Sequence, residues 1–140
     1  MSGDKRGQLS IRPSERTLDR LRERAHQLGE KHTVLAERYL VEGMRMDEHP
    51  GIQFVDGPAG RRPAVTGGPD VWEIVMVAKD NAGSPEQTAA YLEIDPRLAA
   101  TALRYYGAHQ EEIDAWIARM DELNERAEDE WRAAQAALSA

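Results

Sequence analysis

Cysteine is absent from this sequence of 140 residues. Its absence excludes disulfide bonds, zinc sites built from thiolates and cysteine nucleophiles, and it fits a reducing cell interior. The chain also lacks a long apolar run. Its first residues, MSGDKRGQ, are polar and charged, and no later stretch approaches the length of a membrane span. We therefore expect a cytoplasmic protein that makes no contact with a membrane.

The sequence also lacks the patterns that usually indicate catalysis. Its four histidines are scattered, and none lies in a His-Glu-x-x-His pattern or at metal-binding spacing from carboxylates. Adjacent acidic residues, such as Glu111 and Glu112, point apart on a polar helix and do not converge on one substrate. The sequence therefore predicts a protein that is not an enzyme and that uses no metal ion or cofactor.

Positive charge is scarce overall, with a formal net charge of -7, but it is unevenly distributed. Residues 1–46 carry ten Lys or Arg against seven Asp or Glu, a net charge of +3. Residues 47–140 carry the other eight basic residues against eighteen acidic ones, a net charge of -10. The basic residues 1–46 can neutralise DNA phosphates. The acidic residues 47–140 are repelled by DNA and can bind a protein partner instead.

The segment QLSIRP, which begins at residue 8, alternates polar and apolar residues as a β-strand with one buried face does. Gln8, Ser10 and Arg12 share one face, and Leu9 and Ile11 share the other. A single short strand cannot satisfy its own backbone, so we expect it to pair with the same strand of a second chain. Such a two-stranded ribbon fits the major groove of DNA, where Gln can bind adenine and Arg can bind guanine.

Two short amphipathic helices are predicted after this strand. Ser14 can cap the first, which runs to about Leu28, and Gly29 suits its C-terminal cap. Thr33 can cap the second. The arginines of the first helix lie largely off its apolar stripe and can serve solubility alone. Because so small an arrangement has too little core for a monomer, we expect an intertwined dimer; the alternative is a helical hairpin after a disordered segment. The residues assigned to the dimer core are Leu9, Ile11, Leu18, Leu21, Leu35 and Leu40.

The order strand, helix, turn, helix within residues 8–46 resembles the ribbon-helix-helix family of DNA-binding repressors and antitoxins. Three segments carry the resemblance: QLSIRP, SERTLDRLRERAHQLG and TVLAERYLVEGM. In that family, alternate outward residues of the strand contact bases, and the start of the second helix holds a DNA phosphate. The resemblance implies base contacts by Gln8, Ser10 and Arg12, and phosphate contacts by Lys31, His32 and Thr33.

Residues 47–70 are rich in Gly and Pro and lose helical periodicity, so we expect a hairpin or a linker there. Ile52–Val55 and Pro63–Val65 can form two short strands joined through residues 56–62. Residues 71–108 predict three short helices. The first, within VWEIVMVAKD, is too apolar for a surface helix and is expected to be buried. Ser84-Pro85 and Asp95-Pro96 are start signals for the other two.

Residues 49–117 resemble the small winged-helix-like domain of unknown function that occurs in antitoxins. The segments HPGI, the hairpin, the buried helix and SPEQTAAYL occur in the same order. Members usually carry Gly-Thr-Arg before the buried helix, whereas this chain has GGPD at residues 67–70. The resemblance implies dimerisation or partner binding. We expect no second DNA-reading helix, because residues 95–107 offer only Arg97 and Arg104 as cations.

Residues 109–140 contain no Gly or Pro and predict one long acidic helix. Positions spaced alternately by four and three residues form a narrow seam along it. The helix either packs along its own dimer or lies as an arm across a partner, with Trp116, Met120 and Trp131 as the contact residues. The seam consists of Ile113, Ile117, Met120, Asn124, Ala127, Trp131, Ala134 and Leu138.

The predicted fold class is therefore mainly α with minor β. A ribbon-helix-helix domain spans residues 1–46, a hairpin or linker 47–70, a small helix-turn-helix-like domain of three helices 71–108, and a long helix 109–140. One hypothesis is an antitoxin that binds operator DNA as a dimer, represses its operon and neutralises a toxin, which the resemblance implies is a PIN-like nuclease; the protein itself is expected to be a homodimer or a tetramer. The other is a stand-alone DNA-binding regulator whose C-terminal region only drives oligomerisation or senses a ligand.

Overall fold

The computed structural model of the protein describes residues 5–140. These residues form six α-helices and one two-stranded antiparallel sheet, which confirms the predicted fold class, mainly α with minor β. The chain divides into an N-terminal unit, Met1–Gly43, and a C-terminal unit, Met44–Ala140. The helices are α1 (Glu15–Leu28), α2 (His32–Glu48), α3 (Val71–Lys79), α4 (Pro85–Leu92), α5 (Pro96–Ala108) and α6 (Gln110–Ser139), and the strands are β1 (Ile52–Val55) and β2 (Arg62–Val65).

Helix α1 begins and ends where its capping residues predict. The Ser14 hydroxyl accepts the backbone N–H of Thr17 at 3.2 Å. At the other end, Gly29 adopts a left-handed conformation with φ of 68°. Glycine takes this conformation without steric cost because it has no Cβ. Both predicted caps are therefore confirmed.

The prediction that Thr33 caps the second helix is wrong. Helix α2 already begins at His32, and the backbone carbonyl of Lys31 accepts the N–H of Leu35 at 3.1 Å. The turn after Gly29 is so short that helical geometry resumes before Thr33, which lies in the first turn. Helix α2 also continues to Glu48, two residues beyond the predicted domain boundary.

Residues 8–13 form no strand in the single chain, and Leu9 and Ile11 are 68% and 71% exposed. An isolated extended segment has no neighbour with which to exchange backbone hydrogen bonds, so a strand here requires a second copy. The ribbon and the intertwined dimer therefore stay predictions.

The C-terminal unit is built around one hydrophobic core, which α3, α4, α5, the hairpin and the start of α6 share. The predicted hairpin is confirmed, with Ile52 of β1 opposite Val65 of β2. Because both side chains belong to the core, the alternative that residues 47–70 are only a linker is wrong. The assignment of α3–α5 as a helix-turn-helix-like domain stays a prediction. The core consists of Ile52, Val65, Val71, Ile74, Val75, Ala89, Ala99, Ala102, Tyr105 and Ile113.

Helices α4 and α5 begin at the predicted signals, each with a proline at its first position. The Ser84 hydroxyl accepts the N–H of Gln87 at 3.2 Å, and the Asp95 carboxylate accepts the N–H of Arg97 at 2.9 Å. The hydrogen bond from the Arg97 side chain lowers the pKa of Asp95 to about 2. These caps fix two turns of the unit by local chemistry alone.

An ion pair joins the hairpin to the start of α3. The Asp70 carboxylate pairs with Arg62 and also accepts the indole N–H of Trp72 at 3.0 Å. A Cβ on Gly57 would lie 2.0 Å from Arg62 Nη1, so glycine leaves room for the guanidinium. Through these contacts with Arg62 and Trp72, Asp70, the last residue of the GGPD segment, stabilises the fold.

Glu73 in α3 also lies near Asp70. Burial and the nearby Asp70 raise the pKa of the Glu73 carboxyl group.

Helix α6 confirms the predicted long helix, but its seam is covered over only part of its length. Ile113 is fully buried and Ile117 is half-buried, so the first half packs on the core of the C-terminal unit. Every residue from 124 to 140 is exposed; Trp131 is 64% and Leu138 80% accessible. We refer to residues 124–139 as the free half of α6.

Two substitutions in α6 test this division. We expect Ile113→Ala to lower the free energy of unfolding of the C-terminal unit by about 2–5 kcal/mol, because it opens a cavity in the core. The matched control Leu138→Ala should change it by less than about 0.5 kcal/mol. Urea unfolding followed by circular dichroism measures both, and an equal loss from the two variants would show that the free half is buried in solution.

Candidate nucleic-acid interface and partner helix

The side chains predicted to contact bases are all accessible. Gln8, Ser10 and Arg12 are exposed, and Arg12 forms no ion pair with any residue that the structure describes. Just before this segment, Nη2 of Arg6 lies 2.9 Å from Oε2 of Glu37, which is part of α2. Because exposed ion pairs contribute only about 0–1 kcal/mol, this contact restrains the segment weakly.

A basic cavity of about 300 Å³ lies at the turn between α1 and α2. It brings together the three predicted phosphate contacts, of which Lys31 and Thr33 are exposed and His32 is half-buried. The first turn of α2 adds backbone N–H groups and the positive end of the helix dipole. The arrangement can hold an anion such as a DNA phosphate. Its lining consists of Arg22, Ala25, His26, Glu30, Lys31, His32 and Thr33.

Arg22 and His26 also line this basic cavity, a placement that the sequence alone did not predict. They lie four residues apart on α1 and therefore share a face. The acidic residue of the lining, Glu30, pairs with Arg38 at 2.6 Å, which offsets its charge. The four-residue spacing predicts that Arg22 and His26 share one face of α1. Only the structure shows that the short turn places this face beside the start of α2.

The apolar residues predicted for the dimer core are covered to different degrees in the single chain. Leu35 is buried, Leu18 and Leu21 are half-buried, and Leu40, Leu9 and Ile11 are exposed. Helix α2 exposes five more large apolar side chains, Val34, Tyr39, Val41, Met44 and Met46, of which the first three belong to the N-terminal unit. A groove of about 500 Å³ in the same unit has Leu21 and Tyr39 in its lining. Apolar surface of this extent usually marks an interface.

The three residues predicted to contact a partner have different environments on α6. Trp116 is half-buried against the hairpin loop, where a Cβ on Gly60 would lie 3.5 Å from its Cη2 atom. The guanidinium of Arg119 lies 5.5 Å from the centre of the same indole. Met120 is half-buried, whereas Trp131 is exposed. Trp116 therefore serves the fold of the C-terminal unit, and Trp131 presents an uncovered aromatic surface.

Comparisons with protein-family models, with curated proteins and with solved structures found no match. Within residues 5–140, no group of three or more acidic or histidine side chains is arranged to hold a metal ion. None of the helices in that range is long and apolar enough to cross a membrane. The likenesses of residues 8–46 and 49–117 to known families therefore remain resemblances of sequence.

Proposed function

We propose that this protein is the antitoxin of a toxin–antitoxin pair. In this proposal a dimer of the N-terminal unit binds operator DNA and represses the operon, and the free half of α6 neutralises a PIN-like nuclease. The observation that carries the proposal is the exposure of two opposite chemistries on separate parts of the chain. The N-terminal unit exposes cations and apolar side chains, whereas the free half of α6 exposes carboxylates beside an apolar seam.

The first step is assembly of the N-terminal unit. Among the apolar residues that the structure describes in this unit, only Ala25 and Leu35 are buried. Units of about 40 residues usually need oligomerisation, a metal or disulfides to be stable, and this sequence has no cysteine. Pairing the segment around Leu9 and Ile11 with its copy satisfies both backbones and buries apolar side chains from two chains. A second copy of the chain is therefore the partner that this surface fits.

The second step is recognition of DNA by the paired segments. Pairing places Gln8, Ser10 and Arg12 of both chains on the outer face of a ribbon, which fits a major groove about 12 Å wide. The basic cavity at Lys31 then supplies phosphate contacts, which fix the position of the protein without specifying sequence. A two-fold dimer requires a pair of short half-sites.

The third step concerns the free half of α6, whose residues are all exposed. Most helical stability in proteins comes from packing of an apolar face, so a partner that covers this face would stabilise the helix. Here that face includes Trp131 and Leu138, which are exposed. A helix that presents an aromatic anchor within an apolar seam is typical of recognition in a groove.

Charges beside the seam disfavour pairing of the free half with its own copy. In a coiled coil, the residues next to the seam face one another across the interface, and opposite charges stabilise the pair. In the free half those positions include Glu128 and Glu130, whereas Arg126 and Arg132 lie on the outer face. Self-pairing would place carboxylates together without cations between them. An apolar groove rimmed by Lys and Arg is complementary instead. The residues next to the seam in the free half are Glu128, Glu130, Gln135 and Ala137.

A nuclease suits this chemistry, because proteins that bind nucleic acid expose Lys and Arg to phosphates. The PIN-like class is what the resemblance of residues 49–117 to antitoxin domains implies. The second candidate function is the stand-alone regulator. It is favoured by the four-and-three spacing of the seam, which is typical of helices that assemble with their own copies.

Base recognition is tested by Arg12→Ala. We expect it to weaken operator binding by about 1–3 kcal/mol and to relax the preference at one base position. Lys31→Ala, the matched control, should weaken binding to all sequences and lower the salt dependence, because it removes a phosphate contact. Fluorescence anisotropy with operator and scrambled duplexes at several salt concentrations measures both. Unchanged operator affinity in Arg12→Ala would mean that the ribbon does not read the bases.

Partner binding is tested by Trp131→Ala in the full-length tagged protein, captured from its native cell with bound DNA and bound proteins identified. We expect the unaltered protein to recover its own promoter and a small basic nuclease. Trp131→Ala should recover at least about tenfold less nuclease, because it removes the central anchor. Tyr91→Ala is the control, since Tyr91 is exposed in α4, away from the seam. Recovery of DNA with no second protein would instead support the stand-alone regulator.

A further inference from the structure

Five side chains that the proposed function does not use form a cluster in the C-terminal unit. Arg45 lies in the last turn of α2 and His49 follows it; Tyr105 lies in α5, His109 joins α5 to α6, and Glu112 lies in α6. Arg45 donates hydrogen bonds to the Tyr105 hydroxyl at 2.9 Å and to Glu112, and the Tyr105 hydroxyl donates to Glu112 at 3.0 Å. Burial and the nearby Glu112 raise the pKa of Tyr105, so its hydroxyl stays protonated. The cluster therefore joins three helices through one buried tyrosine.

The two histidines pack on the ring of Tyr105 and on each other. The ring centres of His49 and His109 lie 5.1 Å and 4.5 Å from that of Tyr105, and 5.3 Å from each other. The Nε2 atom of His109 is buried and has no hydrogen-bond partner among the residues that the structure describes. Burial and the neighbouring Arg45 lower the pKa of His109. The packing thus suits a neutral imidazole at this position.

The charged groups that face His109 come from more than one element. Arg45 and His49 oppose a positive charge on its ring, whereas Glu112 and Glu48 favour one. Glu112 already accepts hydrogen bonds from Arg45 and from the buried Tyr105 hydroxyl, so its charge is largely offset. Protonation of His109 would place a cation beside the guanidinium of Arg45, in a ring cluster where its centre lies 5.3 Å from that of His49.

We propose that His109, packed with His49 on the ring of Tyr105, forms an acid-sensitive latch that holds the last turn of α2 against the joint between α5 and α6. The neutral ring of His109 packs with Tyr105 and closes the joint; the protonated ring opens it. In the open state the His109 imidazole meets water and regains a pKa of about 6.5. The closed state binds fewer protons, so its stability is complete above about pH 6.5 and falls as the pH drops below that value.

The test is hydrogen exchange of the full-length protein at pH 7.5 and 5.5, corrected for the intrinsic exchange rate. A histidine that stays neutral in the closed state raises the opening constant about tenfold one pH unit below its open-state pKa. We therefore expect about tenfold or more opening at pH 5.5 in residues 44–49 and 105–113. Residues 71–79, in the buried helix α3, serve as the internal reference and should change less than about twofold, because this helix contains no histidine.

Two variants separate the latch from a general effect of acid. His109→Phe keeps a ring on Tyr105 but cannot be protonated, so it should lose most of the difference between the two pH values. His26→Phe, which alters an exposed histidine of α1, should keep it. Equal opening of the unaltered protein at both pH values would overturn the proposal. If His109→Phe does not fold, an NMR titration of His109 in the unaltered protein decides, and a pKa at or above about 6.5 would contradict the latch.

Discussion

Uncovered apolar surface on the N-terminal unit is the constraint on which the rest of the proposed assembly depends. Leu9, Ile11 and Leu40 stay exposed in the single chain, and each Å² of such surface left in water costs about 25 cal/mol. In the proposed dimer, the contact that buries them also turns residues 8–13 into a ribbon and orders the base-reading side chains. Assembly and DNA recognition are then one structural event, and neither requires a rearrangement of the C-terminal unit.

The C-terminal unit differs because it buries its own core. The hairpin, α3–α5 and the start of α6 enclose Val65, Ile74 and Ile113, and the ion pair between Arg62 and Asp70 joins the hairpin to α3. This unit can therefore anchor the start of α6 without a second chain. The free half is acidic and uncovered, and in the proposed complex a partner covers it. The division matches the proposed roles, in which one end of the chain assembles on DNA and the other holds a basic protein.

Local chemistry made much of this fold predictable from the sequence. Ser14, Ser84 and Asp95 cap helices at the expected places because a cap depends only on residues within one turn. The cap assigned to Thr33 was wrong because the length of the preceding turn is a tertiary property. For the same reason, only the fold shows which remote residues lie together. Arg22 and His26 of α1 lie beside the predicted phosphate contacts at the start of α2. His49 and His109, sixty residues apart, both pack on the ring of Tyr105. The spacing of the apolar residues along α6 could be predicted from the sequence. The residue at which the core of the C-terminal unit stops covering them could not, because it depends on how the other helices pack.

The mass of the protein in solution shows whether the N-terminal unit binds a second copy, on which every proposed step at the DNA depends. Sedimentation equilibrium at micromolar concentration should give twice the chain mass of 15.7 kDa, and dilution to monomer should be accompanied by loss of helix from α1 and α2. A stable species of 15.7 kDa that keeps the amides of α1 and α2 protected from exchange would contradict the account. Such a result would mean that the N-terminal unit tolerates its exposed apolar side chains without a partner.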